Sequence, residues 1–379
     1  MAIRLIRNFG ENPPSATTNL AILQVASTSS LPYSDSPSNR RLTSQSRTSR
    51  FHIMAPSTSK SACANCGKGA ELTCSGCKDT PTINDHVKPI YYCSPTRKML
   101  YRAGSVLQEI FYMYREHMFD KLVVKMEKTE GRVHLYEGIY DPVYLSDIQC
   151  LIPFPTGLCQ TAEDKMSLLV QLACDDASAW LDELIIYILS GIASSIKEIG
   201  CLPKNSRLEM ISVSCDGTIP ITNFGHELIK VKLLNGGEEF ALDLSSAQYG
   251  YFEPVVPWSY YVSSRVRDFV IHPNFNYFGG VRDRFLEAIT HKTPEGGATR
   301  LNNEIERLLL HATKEWEKEV SMNMHSLLKL PLEQFKIMEK SLVDDNAHYI
   351  RESLKIFRKR AEDYKAEVAG RNSAGSTQE

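Results

Sequence analysis

No stretch of this 379-residue chain approaches the roughly 18 consecutive apolar residues that a membrane-spanning helix requires. The longest apolar run, LDELIIYILSGIASS, is broken by Asp182 and Glu183, so no membrane association is expected. An excess of either charge is also missing. Lys and Arg number 43 against 45 Asp and Glu, a net charge of -2, which lacks the basic balance of a nucleic-acid coat. Phosphate-cradling glycine motifs, the HExxH helix and internal repeats are absent. Acidic residues are scarce at the start, where residues 1 to 60 hold twelve Ser and seven Lys or Arg against only Glu11 and Asp35. Too few apolar residues accompany them to form a core, which predicts disorder. The opening MAIRLIRNFG followed by this acid-poor Ser/Arg run also has the composition of a mitochondrial targeting segment, the rival reading being a natural start at Met54.

Cysteine, by contrast, is plentiful and unevenly placed. Of ten cysteines, five lie between Cys63 and Cys93, and Cys150, Cys159, Cys174, Cys201 and Cys215 are scattered singly. CxxC pairing favours metal over disulfide, and a chain of this length needs no staples to build a core. The expectation is an intracellular protein of the cytoplasm or nucleus. Structural zinc takes four S or N ligands in a tetrahedron, and a CxxC turn lets two thiolates reach one ion at about 2.3 Å. Cys63/Cys66 and Cys74/Cys77 form two such knuckles separated by seven residues, with a further thiol at Cys93 after Tyr91-Tyr92.

The succession CANC, CSGC, YYCS resembles the MYND-type zinc finger. The neighbouring EIFYMYREHMFD and ALDLSSAQYGYFEPVVPW resemble fungal proteins that carry this finger near their N-terminus. The resemblance implies Zn2+ as cofactor in an interleaved pattern, with Cys63, Cys66 and Cys93 serving a first ion and Cys74 and Cys77 a second. It also implies a protein partner, such as a Pro-rich peptide laid in a shallow groove. The pattern departs from the family directly after YYCSP, where Arg97 stands in place of a cysteine and three expected ligands are missing, so that the finger is truncated. Five thiols and His86 remain as nearby donors. One ion held by a subset such as Cys63, Cys66, Cys74 and Cys77, as in zinc ribbons, two ions, or a metal-free remnant are all compatible with this set.

Beyond the module, Leu100, Ala103, Leu107, Ile110, Phe111, Tyr114 and Met118 recur at spacings of three and four and predict an amphipathic helix. GRVHLYEGIYDPVYL suggests a strand or hairpin near Gly138. The segment from Thr161 to Gly200 reads as two helices, the first capped by Thr161 with Asp164 three residues on. IKVKLL and EEFALDL around Asn235-Gly236-Gly237 predict a hairpin. EPVVPWSYYVSSRVRDFVIHP reads as Pro-punctuated and then helical. The region after residue 296, broken at Pro331 and rich in i,i+4 charge pairs, reads as a helical hairpin against the core or an exposed helix that meets a partner. The expected class is α+β. Its divisions are a disordered extension (1–60), a truncated MYND-like finger (61–96), an α+β globular domain with a β-hairpin (97–295), a helical region (296–369) and a disordered tail (370–379).

A second constellation has an enzymatic order. Cys174 near a helix start, His226 opening one strand and Asp243 on the next follow the chain order of papain-like and transglutaminase-like folds. In those folds a helix terminus activates the thiol and Asp orients the imidazole. With ten Cys and ten His available, chance supplies such an order too. The principal expectation is therefore a zinc-binding interaction protein with no assigned catalytic residue, and the alternative is a cysteine-dependent hydrolase or acyltransferase using Cys174, His226 and Asp243. The basic runs RVRDFVIHP and IFRKRAEDYK read as solvated helix faces, so nucleic acid is not an expected partner.

Overall fold

The computed structural model describes residues 95–139, 148, 151–219, 225–234, 237–270, 277–289 and 294–375, together with short strands between Ser61 and Thr82. The expected disorder of residues 1–60 lies outside the described residues. Four short strands form two hairpins: β1 (Ser61–Ala62) with β2 (Gly69–Ala70), and β3 (Leu72–Cys74) with β4 (Cys77–Thr82). Helix α1 (Pro95–His117) follows the module and carries six of the seven predicted apolar positions, with buried Met118 one residue past its end. It is buried on nearly every side, so its amphipathic pattern understates its position at the centre of the molecule.

After α1 comes the hairpin of β5 (Val123–Thr129) and β6 (Arg132–Glu137), closed by Glu130-Gly131, where Gly131 holds φ +72°. The stretch expected as strand or hairpin before Gly138 is strand β6, and the turn of its hairpin falls at Gly131. Thr161 caps α2 (Ala162–Leu169) in a complete capping box with Asp164, as its sequence predicts. Two short helices, α3 (Cys174–Trp180) and α4 (Asp182–Leu189), come next. The stretch Ala193–Gly200, expected as the end of a helix, instead belongs to strand β7 (Ala193–Pro203). Long-range pairing on both sides of that strand overrides its local pattern.

Strand β8 (Glu209–Val213) runs parallel to β6 and completes a three-stranded sheet. The predicted hairpin is β9 (His226–Leu233) and β10 (Glu239–Leu242). The segment that follows divides into β11 (Val255–Pro257), α5 (Trp258–Arg265) and β12 (Val266–Val270), so VRDFV is a strand and not a helical continuation. A five-stranded antiparallel sheet results, in the order β11-β10-β9-β7-β12. Helices α6 (Gly280–Ile289), α7 (Pro294–Glu319), α8 (Met324–Leu327) and α9 (Leu332–Gly375) complete the chain. The protein is of the α+β class.

Strand alternation gives the large sheet two faces. Ile229, Val231, Phe240, Leu242 and Val255 join α1, α3, α4, α7 and α9 in the main core, while Cys201, Leu228, Ala241 and Val256 meet Tyr261 of α5 in a smaller cluster on the other side. Gly104 lets α1 approach the sheet, because a Cβ there would stand 2.3 Å from Val255 Cγ2. The helical region after 296 shares this core. Trp316 donates to Ser341 Oγ at 3.1 Å between α7 and α9, and buried Arg102 of α1 donates to the Leu328 carbonyl at 3.0 Å.

Candidate functional sites

Backbone geometry places the cysteine module as follows. Cys74 and Cys77 stand opposite each other across the β3–β4 pair, separated by Ser75-Gly76. Strand β4 also lies beside β1 and β2, the strands that bracket Cys63 and Cys66 in the chain. Cys63, Cys66, His86 and Cys93 lie outside the described residues, as do the side chains of Cys74 and Cys77. Among the described residues, no group of three or more His, Cys, Asp or Glu is placed to hold a metal ion. The donor set itself fits zinc, since four soft thiolates in two CxxC turns are what a tetrahedral structural site uses.

The second constellation is only partly assembled. His226 and Asp243 come together: the imidazole Nε2–H donates to Asp243 Oδ2 at 2.8 Å, with the two side chains 1% and 2% exposed. Tyr261 donates its hydroxyl to the same oxygen at 2.7 Å, and the Ser245 backbone N–H reaches Oδ1 at 3.3 Å. Burial opposes ionisation of Asp243, but the His226 charge, the hydrogen bonds from His226 and Tyr261 and the Arg265 charge together hold its carboxyl below the usual range. The ring of Tyr249 lies edge-on to His226 at 4.9 Å, and among the described residues buried His226 Nδ1 has no hydrogen-bond partner.

Among the described residues, Cys174 makes no hydrogen bond to this pair. Residues 226 and 227 are neighbours on β9 and must point to opposite faces. Glu227 faces α3, where Arg284 contacts both Asp175 (3.0 Å) and Glu227 (3.6 Å), and Cys174 sits there with its thiol donating to Asp175 Oδ1 at 3.4 Å. His226 therefore points to the α5 side, where its directly opposite partner on β7 is Cys201. Burial, followed by the Asp175 charge, pushes the Cys174 thiol well above its ordinary range, and burial likewise raises Cys201 to about 12. Both are neutral thiols at physiological pH. Tyr261 and Cys201 were not singled out from the sequence. Cys201 sits on β7, a strand that no local pattern marks, and Tyr261 follows a Pro-rich turn with no periodic signal.

A third polar assembly underlies α6. Arg282 contacts Glu306 of α7 (2.8 Å) and Asp182 of α4 (3.6 Å), Arg284 bridges Asp175 and Glu227, and Glu198 of β7 accepts the Gly279 and Val281 N–H groups, both at 3.0 Å. No motif announces it, because its acids come from five separate elements.

Compared with protein-family models, curated proteins and solved structures, the chain gives no match.

Proposed function

We propose that the cysteine-rich module binds Zn2+ through cysteines drawn from Cys63, Cys66, Cys74, Cys77 and Cys93, and that it serves as a protein–protein interaction element attached to the α+β body. The observation that carries this reading is the arrangement of two CxxC pairs in adjacent hairpins. Cys74 opposes Cys77 across one hairpin, and the strands of the other, which contacts β4, bracket Cys63 and Cys66. A thirty-residue polar module has too little apolar surface to fold alone, so the metal supplies its folding free energy. A Pro-rich peptide is the ligand class that the MYND resemblance suggests.

The test is zinc measured per chain on purified protein, beside Cys74→Ser/Cys77→Ser. We expect metal in the parent, loss of it in the variant, and binding of a Pro-rich peptide that disappears on chelation. A parent isolated under reducing conditions with no zinc, and unable to take it up, would remove the proposal. Zinc without metal-dependent peptide binding would remove the partner and leave the metal.

A further inference from the structure

Helix α5 covers only part of the sheet face on its side. Residues that strand register sets opposite one another share a face, so that side carries the pairs Cys201–His226, Ile199–Leu228, Lys197–Lys230 and Ser195–Lys232 along β7 and β9. Cys201, Leu228 and Ile199 pack with Tyr261 under α5. Beyond them the face opens, and Lys197 and Lys232 are exposed. Strand β10 adds one acid there: Glu239 stands opposite Lys232 and pairs with Lys230 at 2.8 Å. Among the described residues, Lys197 and Lys232 have no ion-pair partner.

Lys197 directly opposite Lys230 is an unfavourable pairing, because like charges across adjacent strands repel. Any neutral polar residue would serve a merely solvated face. An anion seated between the two ammonium groups would relieve the repulsion.

Aromatic rings flank these lysines. Lys230 Nζ lies over the Trp258 ring at 4.8 Å, and Trp258 is stacked with Tyr261 (6.4 Å, 3°) and with Phe269 (6.0 Å, 27°). Phe269, opposite Cys201 on edge strand β12, is 43% exposed, so the row of near-parallel rings emerges from the small cluster into solvent. No single run of the sequence holds this set. The lysines come from β7 and β9 and the rings from α5 and β12, and only strand pairing brings them onto one surface.

We propose that this face binds a single-stranded nucleic acid, with Lys197, Lys230 and Lys232 meeting its phosphates and Phe269 and Trp258 stacking on its unpaired bases. The unpaired lysines choose an anionic partner. The rings choose bases over carboxylates, since an acidic peptide would use the lysines alone. A duplex keeps its bases stacked on each other and out of reach of such rings.

Fluorescence anisotropy of the full-length chain with a labelled oligothymidylate of about twelve nucleotides tests this. Contacts from three lysines predict that log K falls against log salt with a slope of about -2. Lys197→Ala/Lys232→Ala should weaken binding at least about tenfold at low salt and flatten that slope. Phe269→Ala should weaken it about fivefold or more at unchanged slope. No binding at about 100 µM protein in about 50 mM salt overturns the proposal. Full binding by Lys197→Ala/Lys232→Ala would place the contact elsewhere and overturns it too. Indifference to Phe269→Ala, or displacement by polyglutamate as effective as by unlabelled oligonucleotide, would make the partner an acidic protein surface and overturns it. Equal affinity for a duplex does the same. Should a variant fail to fold, the parental salt slope and the polyglutamate and duplex competitions decide.

Discussion

Replacing Asp243 with Ala should be among the most damaging single changes available on the α5 side of the sheet. The carboxylate accepts from His226 Nε2 (2.8 Å), the Tyr261 hydroxyl (2.7 Å) and the Ser245 N–H (3.3 Å), all at buried positions. Truncation strands these three donors, and the longer contact from the Ser245 hydroxyl at 3.4 Å, at buried positions. Each stranded donor costs about 1–3 kcal/mol, and removing one partner of a buried charged pair costs about 3–5 kcal/mol in comparable settings. We expect a loss of about 3–5 kcal/mol, read as a lower urea midpoint at unchanged slope. Asp243→Asn keeps one carbonyl acceptor and should lose less, about 1–3 kcal/mol. The pH dependence follows from the sign of the shift. The native carboxyl lies below its ordinary range, so its contribution is complete above that range and disappears as pH falls through the native value. Asn should lack this acid-side loss. A cost for Asp243→Ala below about 1 kcal/mol would refute the reasoning, because three donors cannot be stranded at buried positions so cheaply.

Two further changes test the frame around the sites. Gly104→Ala must push a methyl into Val255; we expect a net loss of about 1–3 kcal/mol in chemical denaturation despite the better helix propensity of Ala, and a gain would mean that α1 does not approach the sheet at this point. Thr161→Ala removes the oxygen that accepts the Asp164 N–H at 3.1 Å and should cost about 1 kcal/mol, with circular dichroism checking that the other helices persist.

Local signals were the legible ones. The three- and four-residue recurrence from Leu100 to Met118 marks α1, Thr161 with Asp164 marks the start of α2, and IKVKLL before Asn235-Gly236 marks the β9–β10 hairpin, each because the deciding interaction lies within a few residues. Strand β7 was illegible for the opposite reason. Its neighbours β9 and β12 lie further along the chain, and their pairing turns a segment of mixed propensity into a strand next to the sheet's centre. The end of α5 is similar, since VRDFV extends only because β7 offers it an open edge.

The chemistry divides along the same line. By itself the sequence determined which residues could act: paired thiols in CxxC spacing for a soft metal, and a Cys, a His and an Asp in a suggestive order. Only the tertiary structure decided which of them meet. Alternation along β9 sends His226 towards Asp243 and Glu227 towards Arg284 and Asp175, and the Cys174 thiol donates to Asp175 and not to the imidazole. The row of acids under α6 arises from the same cause. Charges far apart in sequence become neighbours when strands pair and helices cover them.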